Sequence, residues 1–437
     1  MSIRLALASL RAHPPAFIGT AVAALFASTV VSASTMMLMV PTAPGTGEIA
    51  LVLLVGSVYM SIFVVASTMG TAIAQQHREL ALVRAVGARP GQIRRAVAVQ
   101  ALAASLPAAA AGFALGGLLA RVWFGGMVTH GLAPAGAEFR FGWLALPVCL
   151  AVAAVTSTVA AVLSSLRFSL LRPARALAEA SSGGRPGLGW PRAVLGLVAV
   201  AGGAALSVLL QRQPAEKAGQ GAFLVLILFC VGTGLLGPRL IGPAARLVSA
   251  VTGRMGGSAR LAMLNVRSQP RRFAAAVVPL VLVVGFGFTK IAARTTAEYR
   301  TGSAGTASEV WLDYCGTALY AGFAAIAAAN TLAMVSFERR RDVALLRVVG
   351  GQRRQVRAMA AWEALTVTLT ALLLGGAIGL ATLAPLLRAA FGSPFPYVPW
   401  PVLAGIAAGT LLLTLLSTGL PVRAVMRRRA ISVVKAT

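Results

Sequence analysis

Long apolar runs alternate with short charged segments along the whole chain. Ten runs are long enough to cross about 30 Å of hydrocarbon as helices that rise ~1.5 Å per residue. They cover residues 16–40, 49–74, 97–121, 142–166, 191–210, 221–241, 272–290, 311–336, 359–387 and 398–421. The pattern predicts an all-α polytopic membrane protein with ten transmembrane helices.

The cationic residues are concentrated in alternate segments between the predicted spans. If the N-terminus is cytoplasmic, the segments on that side hold 31 of the 39 Lys and Arg residues. Because Lys and Arg accumulate in cytoplasmic loops, this asymmetry predicts that both termini are cytoplasmic. Arginine outnumbers lysine 36 to 3, a bias typical of GC-rich bacterial genomes. We therefore expect the chain to lie in a bacterial cytoplasmic membrane.

The composition excludes several other classes of protein. Of the 437 residues, 58% are hydrophobic and 11% charged, whereas soluble domains carry roughly a quarter charged residues. The net charge of +28 does not predict a nucleic-acid partner, because the arginines stand in short clusters between apolar runs. The three cysteines and three histidines are far apart in the sequence, so neither a disulfide, a metal site nor a bound cofactor is predicted.

One charged stretch occurs twice, 263 residues apart. Residues 77–102 read HRELALVRAVGARPGQIRRAVAVQAL, and residues 340–365 read RRDVALLRVVGGQRRQVRAMAAWEAL. Each copy has apolar residues at every third position, such as Val343, Leu346 and Val349, which predicts one apolar side of a short helix. A charged helix kept in two copies of an apolar protein indicates a pair of binding elements outside the hydrocarbon.

The duplication extends beyond these helices. LALASLRAHP at residues 5–14 matches LAMLNVRSQP at 261–270, and each copy precedes a span. We therefore predict a four-span repeat over residues 1–177, a linker with two extra spans over 178–255, and a second four-span repeat over 256–437. Both repeats begin on the same side of the membrane, which predicts parallel halves that enclose a central seam.

Paired glycines recur in the third span of each repeat. Gly112 and Gly116 match Gly375 and Gly379, so each span carries a GxxxG pattern. Glycines at this spacing allow the backbones of two helices to approach closely. We predict that they serve helix packing rather than a pore.

The organisation resembles the FtsX-like permease family, the membrane subunits of ABC transporters of the macrolide-exporter, lipoprotein-release and bacitracin-resistance types. The resemblance is carried by the pattern [E/D]-[LV]-A-L-[VL]-R-x-V-G at residues 79–87 and 342–350, and by LAMLNVRSQPRR at 261–272. In this family the short helix docks in a groove of a separate nucleotide-binding subunit and transmits its movement. The resemblance implies that both copies do so here.

The resemblance assigns ATPase coupling to eleven residues: Arg78, Glu79, Leu82, Arg84 and Gly87 in the first copy, and Glu338, Arg341, Asp342, Leu345, Arg347 and Gly350 in the second. The alternative interpretation is that both stretches are amphipathic helices at the headgroups, with arginines on lipid phosphates. Lipid contact alone does not require sequences that match position by position.

Energy must come from another polypeptide. A P-loop places a lysine after glycine to reach the phosphates, whereas Lys217, Lys290 and Lys435 follow Glu, Thr and Val. The chain also has no GxSxG or HExxH pattern. We therefore expect a permease subunit that is not itself an enzyme, with ATP and Mg²⁺ bound by a dimer of a separate ABC ATPase.

The short length of the predicted outer loops limits the kind of substrate that we expect. The loops at 41–48 and 291–310 are too short to fold independently, whereas relatives carry large outer domains there. This difference favours a hydrophobic or amphiphilic substrate, such as a lipid, lipopeptide or antimicrobial compound, that enters from the bilayer. Asp313 and Asn330 in span eight are the candidate substrate-path residues, and Glu363 at the start of span nine is expected to pair with Arg354 or Arg357.

Two other functions are alternatives for a membrane protein of this sequence. An ion-driven secondary transporter would need ionisable residues at the midplane or broken helices, and the chain offers only an interruption near Gly237 and Pro238. A non-transporting subunit that relays the ATPase state to an outer partner would need outer surfaces larger than these loops provide.

Overall fold

The computed structural model describes residues 14–39, 46–76, 82–83, 86–134, 136, 138–170, 190–213, 215–252, 256–303, 305–338 and 340–427. Within these residues the regular elements are all α-helices. In chain order they are α1 (Pro14–Leu38), α2 (Thr46–Gln75), α3 (Pro90–Thr129), α4 (Ala145–Leu170), α5 (Trp190–Leu210), α6 (Ala215–Leu236), α7 (Pro238–Thr252), α8 (Gly257–Ser268), α9 (Pro270–Thr301), α10 (Ala307–Glu338), α11 (Arg340–Val348), α12 (Arg353–Phe391) and α13 (Trp400–Arg427).

The helices confirm the all-α membrane architecture. Eight helices of the described part are long and apolar enough to span a bilayer, and a bent pair raises the number to nine. Helix α2 covers the predicted second span but is in neither total. The count of ten spans therefore stays a prediction.

Residues 221–241, the predicted sixth span, do not form one continuous helix, so this part of the prediction is wrong. The chain bends by 85° between Leu224–Leu236 and Arg239–Val248. Gly237 has a positive φ of 27° and its N–H donates to Thr233 O at 2.8 Å, which ends α6. Proline suits the first turn of a helix because its missing N–H has no partner there, and Pro238 begins α7.

The described helices form two compact units that do not follow the order of the chain. The first unit comprises Met1–Gly187 together with Thr306–Ala327, and the second comprises Leu188–Gly305 together with Ala328–Thr437. Helix α10 therefore contributes its first part to one unit and its last part to the other.

The core of the first unit is built from α1, α2, α3, α4 and the first part of α10. Phe323 of α10 is fully buried and packs edge-on against Phe26 of α1, with the ring centroids 4.9 Å apart. A Cβ at Gly322 would lie 2.6 Å from the Phe26 ring. A segment from the second predicted repeat thus completes the core around the first repeat's own helices.

The paired glycines of α3 lie directly against α1. A Cβ at Gly112 would lie 2.7 Å from the carbonyl oxygen of Leu25, and one at Gly116 would lie 2.6 Å from Ser32 Cβ. Real Cβ atoms do not approach other heavy atoms this closely, so only glycine allows this separation of the two helices.

The second unit repeats the arrangement with α12 and α9. A Cβ at Gly375 would lie 2.7 Å from Val284 Cγ1, and one at Gly379 would lie 2.5 Å from the Phe288 ring. The prediction that both GxxxG patterns serve close helix packing is confirmed.

Candidate functional site

The two copies of the charged stretch end in turns with the same backbone conformation. Gly87 and Gly350 both have φ of 102°. A side chain is strained at this angle, so glycine is the residue that fits. The backbone geometry therefore explains why both copies have glycine at this position.

The hydrogen bonds across the two turns also match. Ala88 N donates to Val83 O at 3.2 Å, and Gly351 N donates to Leu346 O at 2.9 Å. A bond from the residue after the glycine to a carbonyl five residues earlier is the Schellman pattern, which satisfies carbonyls at a helix end. Two residues before these donors, Val86 N donates to Leu82 O at 3.1 Å and Val349 N donates to Leu345 O at 3.0 Å.

The following helix begins in the same way in both copies. Arg89 N donates to Gln92 Oε1, and Gln352 N donates to Gln355 Oε1, each at 3.0 Å. Arg89 has φ and ψ of −73° and 148°, and Gln352 has −70° and 146°. The amide side chain caps a backbone N–H that has no partner within the helix. Each turn is therefore fixed by its own local contacts on both sides of the glycine.

A nearly uncovered valine stands beside each glycine. Val86 is 91% exposed and Val349 is 87% exposed. Leu82 and Leu345, one turn earlier, are 52% and 43% exposed. Burial of a valine side chain stabilises an interface by about 1.5–3 kcal/mol. The two turns thus present matched, exposed apolar side chains.

Helix α11 packs by one face against other helices of the second unit. Val343 and Ala344 are 7% and 1% exposed, and Val343 packs in a small cluster with Val356 and partly buried Val422. The predicted apolar side of Val343, Leu346 and Val349 is therefore divided in the structure. The first of these residues anchors the helix, and the last lies beyond the helix end, where it is exposed.

The other predicted coupling residues are placed unevenly. Arg78, Glu79 and Arg84 lie outside the described residues. Glu338 is the last residue of α10, and Arg341 and Asp342 lie in the first turn of α11. Arg347, near the end of α11, is partly buried.

The two candidate substrate-path residues are both on α10. Asp313 is partly buried in the part of α10 that belongs to the first unit. Asn330 is 9% exposed in the part that belongs to the second unit. Their role in substrate movement stays a prediction.

A buried contact in the second unit was not predicted from the sequence. Asn265 Nδ2 donates to Glu363 Oε1 at 2.6 Å, which joins α8 to α12, and Glu363 is 7% exposed. The pairing of Glu363 with Arg354 or Arg357 stays a prediction, and Arg357 Nε donates to Arg353 O at 3.4 Å. Asn265 stands in the lead-in stretch that the sequence marked as repeated, but a contact across 98 residues has no local signal.

Metal ligation has no support among the described residues. They contain no group of three or more His, Cys, Asp or Glu side chains that could hold an ion. The cysteines are all free thiols: Cys149, Cys230 and Cys315.

Comparison with known families agrees with this geometry. The family model described as FtsX-like permease C-terminal matches residues 51–171 and 316–430, together more than half of the chain, and each matched region contains one glycine turn. A search of curated proteins finds no match.

The chain belongs to the FtsX-like permease family. It is a multi-pass membrane permease component of the ABC type, a class whose members are generally non-catalytic membrane subunits that work with an ATPase partner.

Proposed function

We propose that the chain is the transmembrane subunit of an ABC transporter in which a separate nucleotide-binding dimer hydrolyses ATP. The hydrolysis drives export or extraction of a hydrophobic or amphiphilic substrate, such as a lipid, lipopeptide or antimicrobial compound. ATP and Mg²⁺ bind to the partner and not to this chain. The observation that carries the proposal is the repetition of one glycine turn, with φ of 102° and an exposed valine, at 87 and 350.

Two identical turns suit a partner with two identical binding sites. A homodimeric ATPase offers one groove per monomer, and each turn of the permease would enter one groove. The local hydrogen bonds on both sides of each glycine make the turn stiff, so that movement of the ATPase is passed to α12 and to its counterpart α3 rather than lost in a flexible loop.

The experiment uses the full chain together with the Walker A ATPase that co-purifies with it, in lipid nanodiscs. We expect ATP hydrolysis to need both subunits and to rise when the right amphiphile is added from a panel of lipids, lipopeptides and antimicrobials. A chain that purifies without any bound ATPase, from membranes where it is functional, would contradict the proposal.

A second candidate, an ion-driven transporter, draws support from the 85° break between α6 and α7. Broken helices expose backbone groups that coordinate ions in secondary transporters. The two functions differ in their energy source. Substrate movement in proteoliposomes that follows an imposed proton or sodium gradient without ATP would favour the second candidate.

The proposed membrane topology places both termini in the cytoplasm of a bacterium, with two four-span repeats at 1–177 and 256–437 around the linker 178–255. Cysteines introduced near Thr46 and near Gly302, for example at the exposed Ser303, are expected to react with an impermeant maleimide from outside, and one near Gly183 is not. The background is a variant without Cys149, Cys230 and Cys315, because these native thiols would otherwise contribute to the signal. If only the cysteine near Gly183 reacted from outside, the membrane topology would be the reverse of the proposed one.

A further inference from the structure

The second unit contains a cavity beside the helix that carries the second glycine turn. The cavity volume is about 80 Å³. Its wall is mainly apolar and includes Phe273 of α9, Leu332 of α10, Val343 of α11 and Val356 of α12. A space of this size corresponds to roughly five to eight water-sized positions, which is enough for a short alkyl chain with a polar head.

One carboxylate lies in this apolar wall. Glu363 is 7% exposed and lines the cavity together with Asn265, whose Nδ2 donates to Glu363 Oε1 at 2.6 Å. The whole chain has only 11 Asp and Glu residues against 39 Lys and Arg. Placing a carboxylate in an apolar wall of a membrane protein is costly, and such residues mark binding or transport sites.

The first repeat does not share this chemistry. The residue that matches Glu363 is Gln100, which is 3% exposed. A buried amide at this position is therefore compatible with the helix. Of the two matching positions, only the one in the second unit carries a carboxylate.

We propose that this cavity binds the primary ammonium group of an amphiphile, with the ammonium on the carboxylate of Glu363 and the alkyl part against Phe273 and Leu332. The ammonium N–H groups form charge-assisted hydrogen bonds with the carboxylate, which are stronger than bonds between neutral groups. Because Val343 lines the same cavity and anchors α11, the bound ligand contacts the element that carries the exposed valine.

Two ligands share this chemistry. One is an alkylamine that enters from solution, and the other is the headgroup of an aminophospholipid. The site does not depend on the proposed ATPase partner, since binding is measured on the permease chain alone.

The test uses the full chain in dodecyl maltoside, a detergent without charge, and radiolabelled hexylamine in equilibrium dialysis at pH 7. Hexylamine is protonated at this pH, and hexanol is its neutral control of the same length. We expect saturable binding of one hexylammonium per chain and at least about tenfold weaker binding of hexanol. Equal binding of both compounds, or no saturable binding, would overturn the proposal.

Substitution of the carboxylate separates its charge from its shape. Glu363→Gln retains an oxygen that accepts the bond from Asn265, and we expect it to weaken hexylammonium binding by at least about tenfold. Gln100→Ala is the matched control at the equivalent position outside the cavity, and it should leave binding unchanged. Unchanged affinity of Glu363→Gln for hexylammonium would overturn the proposal. If a variant does not fold, the comparison of hexylammonium with hexanol on the unaltered chain still tests it.

A competition experiment then assigns the source of the ammonium. Phosphatidylethanolamine and phosphatidylglycerol are titrated separately into the micelles. Competition by phosphatidylethanolamine alone assigns the site to a lipid headgroup, and its absence assigns the site to a soluble amine. Both results support an ammonium site, whereas equal competition by phosphatidylglycerol would show that the site does not recognise the ammonium and would overturn the proposal.

Discussion

Replacement of both exposed valines by aspartate, Val86→Asp with Val349→Asp, is expected to abolish binding of the ATPase partner. An aspartate in the apolar groove of a partner loses the burial energy of the valine and adds the cost of an unpaired buried charge. Together these effects amount to several kcal/mol for each turn, or at least about a hundredfold in affinity. The measurement is a titration of the labelled ATPase onto the permease in nanodiscs, followed by the rate of ATP hydrolysis.

The single variants and a control of equal charge make the result specific. Val86→Asp or Val349→Asp alone is expected to leave partial binding, because one turn stays intact. Gln213→Asp with Ser303→Asp adds the same two negative charges at exposed positions in the predicted outer loops, and should bind as the unaltered chain does. Because the valines are 91% and 87% exposed, their replacement should not lower the thermal stability of the permease itself. Normal ATPase binding by the double variant would show that the glycine turns do not bind the ATPase.

Substitution of one glycine in α12 is expected to destabilise the second unit. In Gly375→Ala the new methyl group would lie 2.7 Å from Val284 Cγ1 and 3.0 Å from the backbone nitrogen of Gly285. The side chain of Val284 cannot relieve the contact with the backbone, so α9 and α12 must separate. Overpacking of this kind costs about 1–3 kcal/mol, and a leucine at the same position should prevent folding.

The neighbouring residue provides the matched control. Gly376 is in the same helix and a Cβ there would meet no atom within 4 Å. Gly376→Ala should be neutral or stabilising by up to about 1 kcal/mol, because alanine favours the helix over glycine. Denaturant titration in mixed micelles measures both free energies of unfolding. Equal values for the two variants would mean that close packing of α9 and α12 does not determine stability.

Helix positions could be predicted from the sequence because hydropathy over about 20 residues is a local property. The ten predicted spans all coincide with described helices, except that the sixth breaks at Gly237. That break had a local signal in the glycine and proline at 237 and 238, but the signal is weak, because the same pair at 242 and 243 lies inside α7. The match of Gly87 with Gly350 is likewise a local property, because both close the same nine-residue pattern.

The contacts between distant residues could not be predicted in the same way. The hydrogen bond from Asn265 to Glu363 and the packing of Phe323 on Phe26 depend on how the helices assemble. Charge suggested an arginine as the partner of Glu363, because the arginines lie nearby in sequence. The structure shows a hydrogen bond from the amide of Asn265 on α8, which lies 98 residues away in the sequence.

The position of helix α10 in two units bears on how the duplicated chain could have evolved. Its first part, including Phe323, covers Phe26 in the core built by the first repeat. A precursor with a single repeat and the same packing would have left that face open unless another copy lent its second helix. Such a precursor would have needed a second copy to cover that face, and fusion of two gene copies would have made the covering helix part of the same chain.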